Sequence, residues 1–118
     1  VRFAGYVPDN ELAALYTGAL ALVFPSLYEG FGLPPLEAMT CGTPVVAANA
    51  PAMAEVLPGG AIFVPLRDPG AIADAVERLS RDREWREEWR QRGCEVARRY
   101  SWERAARETV EVYREVVR

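Results

Sequence analysis

The sequence predicts an α/β fold: a Rossmann-like parallel sheet of about four strands with flanking helices and a helical C-terminus. Three observations carry that expectation. Over the first two thirds of the chain, short apolar runs alternate with segments of helical periodicity. Glycine and proline punctuate the boundaries between them. From Asp68 onward only helical periodicity remains. Strands separated by helices pair in parallel through right-handed crossovers, so the alternation sets the class.

Taken in order, residues 1–5 read as a short strand ending in Gly5. Pro8, Asp9 and Asn10 are helix-start signals, and Leu12, Leu15 and Tyr16 mark one face of a helix over 11–19. The uninterrupted apolar run 20–24, closed by Pro25, reads as a strand covered on both faces. Pro34 and Pro35 stand where a helix can begin, and Gly42 where it stops. A strand over 44–48, a short helix over 52–57 and a fourth strand over 61–64 follow. Ala71, Ile72, Ala75, Val76 and Leu79 then mark one helix, and Trp85, Trp89, Val96, Ala97 and Tyr100 a second. Ser101 is a natural N-cap for a third, striped by Trp102, Ala106, Thr109, Tyr113 and Val116. Residues 1–67 thus form an α/β core and 68–118 a helical remainder.

Composition bounds the chemistry. The 118 residues are 50% hydrophobic and 26% charged, with a formal net charge of −3, as in an ordinary globular domain. There is no histidine, and all 14 basic residues are arginine. Within this chain that excludes a Ser/His/Asp triad, a His-ligated metal site, a Schiff-base lysine and a P-loop lysine. Cys41 and Cys94 lack CxxC spacing and suit a reducing, cytoplasmic compartment. The acidic balance argues against a nucleic-acid partner. No apolar run reaches the roughly 18 residues of a membrane span. The chain opens at Val1, directly on a strand-like run, as expected of a processed or partial product.

The informative stretch is 24–44, FPSLYEGFGLPPLEAMTCGTP. A buried strand, a glycine-containing loop and a helix start form the junction at which open α/β sheets bind ligands. Amides at the helix start lack internal partners and carry the positive end of the helix dipole, which suits a phosphate or diphosphate. The spacing is not GxGxxG, because Pro35 occupies the third glycine position. Glu29 before the loop and Glu37, expected in the first helical turn, flank the same pocket. Beside a phosphate they would repel it, so their useful partners are neutral hydroxyls on a sugar or ribose. A nucleotide-sugar site is the expectation.

The run Glu29-Gly30-Phe31-Gly32-Leu33-Pro34-Pro35-Leu36-Glu37-Ala38-Met39, followed by Cys41-Gly42-Thr43-Pro44-Val45-Val46, closely resembles the signature of retaining GT-B glycosyltransferases of family 4, the glycosyl transferases group 1. Phe3 to Pro8 and the segment from Phe63 to Pro69 are similar to that family too. The resemblance implies a hexosyl transfer from a UDP- or GDP-sugar, such as GDP-mannose, to a glycan, lipid or small acceptor, with retention and commonly without a metal. By resemblance Glu29 contacts the donor sugar's hydroxyls and serves as the catalytic carboxylate. Glu37 holds the ribose hydroxyls, the backbone of Gly30, Phe31, Gly32 and Leu33 faces sugar and diphosphate, and Tyr6 and Val7 meet the base edge. No cofactor is expected beyond the donor itself.

Two departures matter. The family's Arg and Lys on the donor diphosphate, upstream in the same domain, have no counterpart here. Two strands expected before Val1 and the acceptor-binding N-terminal domain are also missing, so the chain resembles the last two thirds of a GT-B C-terminal domain. In the family order 3-2-1-4-5-6 it would supply strands 3 to 6. Residues 1–5 would then lie two places from 20–24. Another chain would fill the gap, or those strands would pair directly, or copies would swap elements, so a non-monomeric assembly is expected. The isolated chain is expected to be inactive, and the full enzyme to be cytoplasmic, with the inner membrane face as the alternative place.

Plainer roles stand beside these. Glu37 could complement a helix dipole, Gly30 and Gly32 could be turn residues, and Tyr6 and Val7 could pack at a strand end. Cys41 is expected to be a small buried filler, Glu55 a cap or surface residue, and Trp85, Trp89 and Trp102 core or interdomain packing residues, with the last helix's stripe partly exposed in this chain. The competing function is a non-catalytic assembly fragment with a vestigial nucleotide site, its Arg/Glu-rich helices binding a partner or membrane surface.

Overall fold

The computed structural model describes residues Val1–Arg118. Three short strands, β1 (Leu22–Phe24), β2 (Val45–Ala48) and β3 (Ile62–Val64), form one parallel sheet in the order β1-β2-β3. Val23 pairs with Val46, and Ala47 with Phe63. The central strand reads Val-Val-Ala-Ala and all four residues are buried, as a strand covered on both faces requires. Its side chains alternate. Val45 and Ala47 join a cluster with Leu36, Met39, Met53 and Val96, while Val46 joins Ile62, Val64, Ala75 and Leu79 on the opposite face. Met39, Met53, Leu57 and Leu79 are fully buried, each contributing about 1.5–3 kcal/mol of transfer free energy.

The helices are α1 (Asp9–Gly18), α2 (Leu33–Thr40), α3 (Pro51–Val56), α4 (Pro69–Arg81), α5 (Arg83–Ala97) and α6 (Trp102–Val116). Helix α2 is stopped by a left-handed Gly42. The Gly42 amide donates to Met39 O and the Thr43 amide to Ala38 O, which satisfies carbonyls the helix end leaves free. Asp68, Asp82 and Ser101 cap the last three helices through their side chains, accepting from the amides of Ala71, Trp85 and Arg104. Ser101 therefore caps the helix its position predicts.

One expectation is corrected. Residues 1–5 form no strand and pair with none of the three, so the sheet has three strands, not four. Extended backbone becomes a strand only against a partner edge, and residues 1–5 lie against none; Phe3 is 96% exposed. The direct pairing of 1–5 with 20–24 does not form. The stripe of α6 packs on nothing within this chain: no residue of α6 is buried, and Trp102 is 79% exposed. Trp85 and Trp89, by contrast, pack edge-on against each other and against the α4 face of the sheet.

Candidate functional site

The loop from β1 to α2 carries the site. Gly32 is the N-cap of α2 and sits at φ 84°, the left-handed region, so the chain turns there from loop to helix. The backbone conformation favours glycine, and a Cβ at this position would also lie 2.5 Å from Met53 Cε, which would have to move aside. Gly30 differs. Its φ is not positive and a Cβ there would meet nothing, so neither conformation nor packing explains it.

No side chain caps α2. The amides of Gly30, Phe31, Gly32 and Leu33 donate to no backbone or side-chain acceptor. Pro34 and Pro35 carry no N–H, so the free donors are concentrated on the loop side of the helix start. Four consecutive unpartnered amides at the positive end of a helix suit an anion.

The two carboxylates are held differently. Glu29 Oε1 accepts from Ser26 Oγ at 3.1 Å, and that hydroxyl also reaches Tyr28 O at 3.2 Å, which fixes the Glu29 side chain to its own loop. Glu37 is the fifth residue of α2 and so stands in the second turn, not the first, because the helix begins at Leu33. There it is too far along the helix to complement the free amides. It is exposed, makes no ion pair, and its Oε2 accepts from the Tyr16 hydroxyl at 3.0 Å. Burial, then the Glu37 hydrogen bond and charge, then the charge of Cys41, push the Tyr16 phenol up to about 12, so it remains a donor at neutral pH.

Glu37 borders two cavities of about 390 Å³ each, one on either side of α2. The first also takes Phe31, Leu33, Tyr100 and Trp102, with Phe31 edge-on to Tyr100 at 5.5 Å. The second is a cleft between α1 and α2 lined by Asp9, Leu12, Ala13, Tyr16, Thr40 and Cys41. Phe31, Leu33 and Glu37 are thus brought together, whereas Glu29 lines neither cavity. Tyr6 and Val7 line a separate depression along α1, although Asp9, two positions on, reaches the cleft. Nothing local in the sequence marks the Tyr16 contact, whose partner lies 21 positions away.

The chain matches the family model described as Glycosyl transferases group 1 over residues 1–96. It is 41% identical to an O-antigen chain mannosyltransferase B of Escherichia coli, over 97% of this chain and 30% of the relative. It is 40% identical to a D-inositol 3-phosphate glycosyltransferase of Frankia alni, over 97% of this chain and 28% of the relative. Among solved structures, a sucrose-phosphate synthase from Thermosynechococcus elongatus superposes with a TM-score of 0.89 at 33% identity, covering 98% of this chain and 30% of that one. The chain therefore spans about 30% of the length of the proteins it matches.

Proposed function

The chain belongs to the Glycosyl transferases group 1 family, of GT-B fold, and from that premise we propose that it is the donor-binding region of an enzyme that moves a hexose from a UDP- or GDP-sugar to a glycan, lipid or small acceptor with retention. The observation that carries the proposal is the run of four unpartnered amides, Gly30 to Leu33, between Glu29 and Glu37. The amides take the diphosphate, where they stabilise charge on the departing nucleotide. Glu29, turned into the loop by Ser26, takes the donor sugar's hydroxyls as the catalytic carboxylate. Glu37 accepts from the ribose hydroxyls, and Tyr6 and Val7 meet the base edge. The reaction needs neither metal nor cofactor in this reading.

The acceptor and the basic residues that would complete the diphosphate site belong to other parts of the enzyme, in the cytoplasm or at its membrane face. The 118-residue chain alone is then inactive, and donor-dependent transfer by it would overturn that point. Calorimetric titration with UDP, GDP and their sugars tests the donor site: saturable binding that Glu37→Ala weakens supports it, and no binding overturns it.

The exposed stripe of α6 favours a second reading, in which the chain is an assembly piece docking on another part of the enzyme or another copy. The same titration separates the two, since a vestigial site binds no nucleotide.

A further inference from the structure

Glu37 is an exposed carboxylate with three rotatable side-chain bonds and no cation to hold it. Its one hydrogen-bond partner is the Tyr16 hydroxyl, at 3.0 Å. The tyrosine is itself anchored. Its ring packs against the core cluster that contains Leu36 and Met39. Its carbonyl, at the end of α1, accepts from the Thr43 hydroxyl at 2.5 Å, and Thr43 is 2% exposed. Thr43 sits just beyond the turn that stops α2, so one buried hydroxyl ties the end of α1 to the end of the helix that carries Glu37. Each link is short and each fixes the next.

We propose that Tyr16 is a positioning residue: held by the core and by Thr43, its hydroxyl sets the orientation in which Glu37 accepts the ribose diol of the donor. The proposal rests on the ribose role assigned to Glu37 above. A carboxylate offers about four lone-pair sites. Tyr16 uses one on Oε2 and leaves the rest for two vicinal hydroxyls. Without it, the glutamate must be ordered by the ligand, and ordering a long, free side chain costs on the order of tenfold in affinity.

A purely structural tyrosine would behave otherwise, because removing it would weaken every ligand of the domain alike. The test uses UDP and GDP together with their dideoxyribose counterparts, titrated into the wild-type chain, Tyr16→Phe, Glu37→Gln and the double variant, with circular dichroism to verify the fold. Tyr16→Phe is expected to weaken the ribonucleotide about tenfold while leaving the dideoxy compound unchanged. On the Glu37→Gln background the second substitution should add little, since the two residues act as one unit. Equal losses for both nucleotides, or no loss in Tyr16→Phe while Glu37→Gln still removes the ribose preference, would overturn the role of Tyr16 alone. If Glu37→Gln also leaves that preference intact, the ribose assignment falls and takes the Tyr16 role with it.

Discussion

Replacing Gly32 by alanine probes the point where the fold and the site meet. The residue caps α2 at φ 84°, and an added Cβ would stand 2.5 Å from Met53 Cε and 3.0 Å from its Sδ. Holding an alanine in the left-handed region costs roughly 1–2 kcal/mol. The clash is with the flexible end of a methionine, which can swing aside, but Met53 is fully buried and its displacement disturbs the neighbours in the core, adding about 1 kcal/mol. Together these cost about 2–3 kcal/mol. With an unfolding entropy of roughly 2.1 cal/mol/K per residue, that lowers the melting midpoint by about 8–12 °C. Gly30→Ala is the matched control, because its Cβ meets nothing and its φ is not positive, so its effect should stay within about 0.5 kcal/mol. Urea unfolding and thermal melts of the two variants measure both effects. Equal stabilities for Gly32→Ala and wild type, or a larger loss at Gly30, would refute the conformational argument.

Three other changes test separate parts of the structure. Glu29→Ala should erase the tighter binding of a nucleotide sugar over its bare nucleotide, a loss of about tenfold, while bare UDP or GDP binds as before; titration of each pair checks it. Asp82→Ala removes the cap on the Trp85 amide and should lower stability by about 1 kcal/mol in urea without altering nucleotide affinity. The Tyr16 phenol, raised from 10.0 to about 12 in the folded chain, binds its proton more tightly there than in the unfolded chain. Its contribution to stability is complete below pH 10.0 and lost as pH rises through about 12. Urea midpoints of wild type should fall more steeply across that window than those of Tyr16→Phe, and parallel curves would exclude the effect.

What the sequence made legible follows from where the information lies. The strands at 44–48 and 61–64 form, as β2 and β3, because a wholly apolar run between two helices has only the sheet interior to occupy. The ends of α2 are legible because Pro34, Pro35 and Gly42 each act through local backbone geometry. Residues 1–5 mislead because strand formation is a property of a pair of edges, and composition reveals only one of them. Glu37 falls in the second turn because the helix starts at Leu33, a boundary that two successive prolines locate only to within a turn. In the site, Glu29 and Glu37 stand out by spacing within a recognisable signature. Tyr16 and Thr43 do not, since their hydroxyls find partners 21 and 27 positions away, across elements whose packing no local pattern encodes.

The start of α2 is left without a side-chain cap. A side-chain cap of the usual serine or aspartate kind contributes about 1 kcal/mol, but position 32 takes none, because at φ 84° any side chain is strained and its Cβ would meet Met53. Glycine there supplies no cap, and Pro34 and Pro35 delete the donors that would otherwise stand deeper in the helix. Glu29 is a nearby carboxylate on the same loop, yet Ser26 holds it, so it does not cap the helix from within. The amides of Gly30 to Leu33 stay unpartnered in consequence. An anion that satisfies them binds the folded state alone, and at a hundredfold excess over its dissociation constant it returns about 2.7 kcal/mol, more than the missing cap would have contributed.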